Sequence, residues 1–315
     1  MKRYLDDLQK ELEKKNLRRD EIDDILSDHR EMIASALEEG LSEEDILKTF
    51  GEPSKVADDL ASDPAQETSD KEHVSETSNL LDKEVTGDSI EIEIDLVNDD
   101  VSYGLGEDDR ITVNAKGIKS ISKYTVSFED GVLRIKAPKI SGIIFLARRQ
   151  SGSFDIRVPK NVTIRRVGQH GVNSDVNMTS LKMDSMDLNT TNGDVIIKDS
   201  ALGFATMNSV NGEVTLDHVT AKELKMSQVS GDTEIKDSTI TNALKMNTVS
   251  GDIKLETVKA DITHFHSVSG DVNGVEFYPE ALTFNSVSGD LQLSNQAEHT
   301  ITRLKTHTLS GTIRA

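Results

Sequence analysis

Apolar positions follow two different periods along the chain. In residues 1–62 they recur every three or four residues, first as Tyr4, Leu5, Leu8 and Leu12 and then as Ile22, Ile25, Leu26, His29, Ile33, Ala36 and Leu37. That spacing lays one apolar stripe along a helix, so the segment predicts a small all-α domain, with His29 as a packing residue. Gly40 is placed to end the second helix, and Ser42 with Asp45 approximates a capping box for a short helix through Ile46, Leu47 and Phe50. Gly51 closes that helix, and Pro53 suits the first turn of a last one carrying Val56, Ala57 and Leu60. Residues 63–84 are polar, acidic and aperiodic, which predicts a flexible linker, with a helical extension across Val74–Leu81 as the alternative. From residue 85 the period becomes two. Ile90-Glu91-Ile92-Glu93-Ile94-Asp95-Leu96 and Phe154-Asp155-Ile156-Arg157-Val158 alternate as half-buried strands do. Residues 85–168 are therefore expected to form an irregular β cap.

Residues 169–315 carry a repeat. Its glycines are Gly193, Gly212, Gly231, Gly251, Gly270, Gly289 and Gly311, separated by 19, 19, 20, 19, 19 and 22 residues, mostly in the phrase Val-Ser-Gly-Asp. Val172-Asn173-Ser174-Asp175-Val176 adds an upstream copy with Ser174 in the glycine slot. Five residues before the glycine stand Leu188, Met207, Met226, Met246, Phe265 and Phe284, and two and four after it stand pairs such as Val195/Ile197, Val214/Leu216, Thr233/Ile235, Ile253/Leu255 and Leu291/Leu293. Such columns predict a mainly β chain whose repeats form a parallel β-solenoid of about 19–20 residues per coil, with like side chains stacked about 4.8 Å apart. The glycine makes the corner either by a positive φ or by letting neighbouring backbones approach closely.

The residues also carry two family resemblances. Tyr4-Leu5-x-x-Leu8, Ile25-Leu26-Ser27-Asp28-His29, Gly40-Leu41-Ser42-Glu43-Glu44 and Gly51-Glu52-Pro53-x-x-Val56-Ala57 resemble the HAAS-type helical module of bacterial membrane-associated and signalling proteins. That resemblance implies docking to a protein partner through residues 1–62 and supplies no catalytic residue. Ile156-Arg157-Val158-Pro159 followed by serial Ser-Gly-Asp turns resembles the bacterial "putative adhesin" β-repeat family, domains of which occur in enterococcal-type surface proteins that sense envelope stress.

Charge and composition narrow the chemistry. The 315 residues include 36 Lys and Arg against 56 Asp and Glu, a net charge of −20, which disfavours phosphate-backbone binding and excludes nucleic acid as the expected partner. The absence of cysteine excludes thiol catalysis and Cys-based metal sites. No signal peptide or apolar span is evident, so the sequence alone reads as soluble and cytoplasmic, while the family resemblance suggests the envelope or surface.

Asp194, Glu213, Asp232, Asp252, Asp271 and Asp290 form a column one residue after the glycine. Unscreened, adjacent charges at that spacing repel by about 0.9 kcal/mol in water. Either each side chain caps its own turn, the favoured reading, or Asp232, Asp252 and Asp271 belong to a cation ladder. His264 and His266 share a strand face and form a second metal candidate, weighed against plain column filling. Asn189, Asn208, Ser227, Asn247, His266, Asn285 and His307 make a column expected to hydrogen-bond along the rod. Ile143, Phe145, Arg148 and Arg149 form an apolar and basic cluster able to contact a surface.

No catalytic motif is present, and no cofactor is implied. The expected function is a noncatalytic interaction or scaffold protein in bacterial cell-envelope stress signalling or surface association. The alternatives are a surface adhesin or ligand-binding protein, and a glycan-active β-helix enzyme. A last repeat ending at Ala315 leaves strand edges to pair with a second copy, so a homodimer through that end is expected, or a cover from the helical domain.

Overall fold

The computed structural model describes residues 2–15, 51–61, 77–118, 121–138, 152–295 and 301–314, with isolated positions between 19 and 47. The Gly40 cap, the Ser42–Asp45 capping box and the Ile143, Phe145, Arg148 and Arg149 cluster lie outside the described residues, as does most of the expected linker. The chain divides into a helical unit and a strand unit.

In the helical unit, α1 (Lys2–Glu13) buries Tyr4, Leu8 and Leu12, and α2 (Pro53–Ala61) buries Val56 and Ala57. These side chains form one core with Ile22, Leu26 and Ile33. Burial raises the Tyr4 hydroxyl to about 12. His29 is buried too, its Nδ1–H donating to the Ile25 carbonyl at 2.8 Å, as a packing residue one turn along a helix would. Gly51 adopts a left-handed φ of 73° and returns its N–H to the Leu47 carbonyl at 3.0 Å, so it ends a helix as the sequence predicts.

The strand unit is a parallel β-solenoid of about eight turns from Thr163 onward, built on upstream strands. Those upstream strands are β1 (Thr77–Glu84), β2 (Ser89–Asp95), β3 (Asp100–Leu105), β4 (Arg110–Lys116), β5 (Thr125–Glu129), β6 (Val132–Lys136) and β7 (Ser153–Val158). The repeat strands are β8 (Thr163–His170), β9 (Val176–Thr179), β10 (Lys182–Thr190), β11 (Val195–Lys198), β12 (Ala201–Ser209), β13 (Val214–Asp217) and β14 (Thr220–Gln228). They continue as β15 (Thr233–Thr248), β16 (Ile253–Ser267), β17 (Val272–Ser286), β18 (Leu291–Ser294), β19 (Arg303–Thr308) and β20 (Ile313–Arg314).

Two parallel ladders run the length of the rod. One follows β6–β2–β8–β10–β12–β14–β15–β16–β17–β19 and the other β7–β3–β9–β11–β13–β15–β16–β17–β18–β20. Stacking order departs from chain order at one place. The β2–β3 coil is first in sequence, yet it is sandwiched between β6–β7 and β8–β9. The region expected to be only a cap thus supplies two coils of the stack, because its alternating strands turn an apolar row inward as the repeats do.

Thr77–Glu84, expected as linker or helix, is instead a strand antiparallel to β4. It buries Leu81 alone and pairs Asp82 with Arg110, and a charged, mostly exposed edge strand of this kind has a linker's composition.

The inner columns stack as the repeat predicts. Leu188, Met207, Met226, Met246, Phe265 and Phe284 are register partners in series, and every one is buried. The single 20-residue coil is absorbed by a bulge in β15 between Ile240 and Ala243, which leaves Thr241 and Asn242 exposed.

The structure decides how the corner glycines work. None has a positive φ, and a Cβ on Gly212 would lie 1.9 Å from the Gly193 carbonyl oxygen, one on Gly251 1.8 Å from that of Gly231. Close backbone approach therefore demands glycine, and the offending atom is main chain that the ladder holds in place. Positive φ appears at a second corner that carries no glycine, at Ser180, Asp199, His218, Asp237, Thr257 and Glu276, with φ between 44° and 60°. Each turns the chain so that the next residue, such as Leu181, Val219 or Phe277, enters the core.

Gly251→Ala is expected to cost about 3 kcal/mol or more, at the upper end of overpacking penalties. Gly87→Ala, whose Cβ would sit 3.8 Å from its nearest neighbour, is expected to change stability by less than about 0.5 kcal/mol. Urea unfolding followed by circular dichroism measures both.

Candidate functional site: polar ladders and an uncharged groove

Four polar columns and one apolar column surround the glycine corner. In the first, three residues before the glycine, the hydroxyls of Thr190, Ser209, Thr248, Ser267, Ser286 and Thr308 accept the glycine N–H of their own coil at 2.6–3.2 Å. Gln228 replaces the hydroxyl in one coil, donating to the Gly212 carbonyl at 2.5 Å and accepting from Thr233 Oγ1 at 2.6 Å.

The aspartate column is the second. Each Oδ1 accepts the N–H of the equivalent residue in the next coil, as from Asp194 to Asp175 at 2.9 Å and from Asp271 to Asp252 at 2.9 Å. The series starts at Asp100 and ends at Thr312 N. The favoured expectation is thereby corrected in detail, since the carboxylates cap the following coil rather than their own turn. A charge-assisted bond of about 1.5–3 kcal/mol outweighs the repulsion between neighbours. Burial pushes the Asp100 carboxyl up, opposed by the bond from Asp175 N–H and reinforced by the charges of Asp175 and Asp99.

Asparagines form the third, lying one residue before the glycine. Nδ2 of Asn173, Asn192 and Asn211 donates to Oδ1 of Asn98, Asn173 and Asn192 at 2.6–2.8 Å, and Ser230 closes the series on Asn211. The amide column that the sequence singles out, four residues before the glycine, is bonded only in parts. Asn208 donates to Asn189 at 2.8 Å, and Asn285 lies 3.3 Å from His266 Nδ1. Among the described residues, the side chains of Ser227 and Asn247 in that column have no hydrogen-bond partner within the protein.

That partly unspent column lines a groove of about 500 Å³ across four coils. Asn189, Asn208, Ser227 and Asn247 line it together with the buried Thr190, Ser209, Gln228 and Thr248 that follow them in sequence. Its wall is Val210, Val229 and Val249, the start of an exposed apolar ridge that continues through Val268, Val287 and Leu309. Valines 229, 249, 268 and 287 are each 44–46% exposed. No charged side chain lines the groove. Charge collects elsewhere, for example where Glu234 accepts from Lys236 and Lys254, which holds its carboxyl below the usual range.

The sequence-predicted metal residues do not converge. Asp232, Asp252 and Asp271 are spent on backbone N–H groups, and His264 and His266 sit half-buried and exposed on β16. Among the described residues neither set belongs to a group of three metal-ligating atoms.

With this geometry in place, comparison with family models gives one match over residues 89–315, to Toastrack DUF4097, and a second over residues 3–59, to HAAS. The chain belongs to the Toastrack DUF4097 family. Its Toastrack region is the strand unit from β2 onward, and the HAAS match covers the helices α1 and α2. Similar solved structures include a putative lipid binding protein from Parabacteroides distasonis, at 16% identity and a TM-score of 0.54, covering 76% of this chain and 96% of that one. Putative adhesins from Parabacteroides distasonis and Parabacteroides merdae are similar at 15% identity and a TM-score of 0.51, covering 77% and 76% of this chain and 98% and 96% of theirs. These likenesses establish a shared fold. A comparison with curated proteins finds no match. Among the described residues, no helix is long and apolar enough to cross a membrane.

The Asp ladder has one gap: among the described residues no bond runs from Glu213 to Asp232 N–H, the extra methylene carrying the carboxylate past it. Glu213→Asp is expected to raise stability by about 0.5–1.5 kcal/mol, and Asp252→Ala to lower it by a similar amount, both read as shifts of the urea midpoint.

Proposed function

We propose that this Toastrack chain is a noncatalytic binding rod of the bacterial envelope, taking up an amphipathic, lipid-like molecule along the groove. One observation carries the reading: in a chain of net charge −20, the groove is uncharged, has unspent Ser227 and Asn247 groups in its lining and is walled by exposed valines. An acyl chain would lie against Val210, Val229 and Val249, removing apolar surface from water at about 25 cal/mol per Å². A polar headgroup would satisfy Ser227 and Asn247. The similar structure described as a lipid binding protein supports the same class of ligand.

The HAAS match supports a division of labour. Residues 1–62 would engage a membrane-associated or regulatory protein while the rod engages its ligand, an arrangement suited to envelope-stress signalling. A glycan-active enzyme has less support, because the column carboxylates are occupied by backbone N–H groups. The two adhesin-like neighbours favour a second reading, in which the same ridge holds the protein to a surface.

Calorimetric titration of the full chain with monomeric lysophosphatidylcholine is expected to show saturable binding. Val229→Asp with Val249→Asp is expected to weaken it more than about tenfold while leaving circular dichroism and the unfolding midpoint unchanged, since both side chains are surface groups. Equal affinity in the double variant, or no binding by the parent chain, would overturn the groove reading.

A further inference from the structure

The second corner of the solenoid brings together side chains that the ligand groove does not use. In three successive coils its left-handed position carries Asp199, His218 and Asp237, so an imidazole is stacked between two carboxylates. Asp217, next to His218 in sequence, adds another: the His218 Nδ1 lies 2.7 Å from its Oδ1. One ligating atom each from Asp217, His218 and Asp237 lies within 4.8 Å of the other two.

We propose that Asp217, His218 and Asp237 form a binding site for a single divalent transition-metal ion of the zinc type. Ligands 2.0–2.2 Å from a tetrahedral ion sit about 3.4 Å apart, so side-chain rotation suffices to close the set around a metal. The backbone is already fixed. His218 N–H donates to the Lys236 carbonyl at 3.2 Å, and Asp217 is in ladder register with Lys236 of the next coil. The three ligands therefore come from two adjacent coils whose separation is set by the parallel ladder, not from a loose loop. His218 and Asp237 are exposed and Asp217 half-buried, which leaves a path for the ion and room for water as a fourth ligand. Asp199, across the other side of His218, is close enough to act on its charge and supplies further negative potential.

Donor chemistry selects the ion. An imidazole nitrogen beside two carboxylates suits Zn²⁺ and its neighbours in the first transition row, whereas Ca²⁺ prefers six to eight oxygens. Lys198 and Lys236 stand in register on either side of Asp217, and Lys236 is engaged by Glu234 at 2.7 Å. The site is therefore not neutralised by that lysine.

Calorimetric titration of the full chain with Zn²⁺, in a non-chelating buffer, tests the assignment. One ion per chain is expected, with Ca²⁺ giving no heat. His218→Ala and Asp237→Asn are each expected to weaken Zn²⁺ binding more than about tenfold, because each removes one of three protein ligands. His264→Ala with His266→Ala is expected to leave binding unchanged, separating this corner from the other histidine pair. Circular dichroism of each variant establishes that the rod is intact. Absence of Zn²⁺ binding, undiminished binding in both corner variants, or loss of binding only in the His264/His266 variant would overturn the proposal.

Discussion

Everything in the rod follows from the approach of one corner backbone to the next. A carbonyl oxygen from one coil occupies the space that a Cβ of the next would need, at roughly 2 Å from it, in every turn from Gly193 to Gly311. Such contact is possible only where neighbouring coils are in strict register. Register in turn aligns hydroxyl, amide, carboxylate and valine columns on either side of the corner. The rod's polar edge is thus a lattice whose repeat is set by the interstrand distance of a parallel sheet, about 4.8 Å. Most side chains placed in it meet their own kind above and below.

That lattice explains why a row of like charges is tolerated. Stacked carboxylates in water would repel, yet each here is also the cap for a main-chain N–H that the tight corner leaves without a sheet partner. The bond and the repulsion are set by the same spacing, and the bond is the stronger of the two. Thr312 shows the donor side by itself: its N–H is received by Asp290 although Thr312 carries no carboxylate to pass on. Polar groups at the corner thus do for this fold what helix caps do for helices.

Most of the strand unit is legible in the sequence because glycine spacing and column chemistry report the same register. The inner Leu, Met and Phe column and the corner glycines stand out as a repeat in the order of residues alone. The second corner does not. Its left-handed residues are Ser, Asp, His, Asp, Thr and Glu, none of them the glycine or asparagine that marks such a conformation, and the turn is enforced instead by the buried residue that follows each one. The β2–β3 coil is illegible for another reason. Alternation identifies strands but carries no information on stacking order, and the insertion of that coil between later ones is a property of long-range pairing. The hydroxyl and asparagine ladders are present as repeated residue types, the hydroxyl three residues before every corner glycine but Gly231 and the asparagine one residue before Gly193 and Gly212. Their donors and acceptors follow only once the coils are stacked. The groove is a product of that same stacking, since Asn189 and Asn247 are remote in sequence and line one groove only through the register.

Departures from the repeat, rather than the repeat itself, mark where this molecule is specialised. The corner of a regular coil is satisfied by its own hydroxyl and by the carboxylate of the coil before it, and it offers a ligand little that its neighbours do not. Several exceptions gather in two adjacent coils. Glu213 interrupts the carboxylate ladder, His218 replaces an acidic or hydroxyl residue at the left-handed corner, and Gln228 replaces the hydroxyl cap while accepting from the buried Thr233 hydroxyl. Ser227 breaks the amide column between Asn208 and Asn247, and the bulge at Thr241 and Asn242 follows directly. The column of Leu188, Met207, Met226, Met246, Phe265 and Phe284 continues unbroken through these coils, and the inward-facing Thr233 donates its hydroxyl to Gln228. A parallel solenoid separates the two demands in this way: the inward positions fix the register, and the outward corners are free to diverge coil by coil without disturbing it.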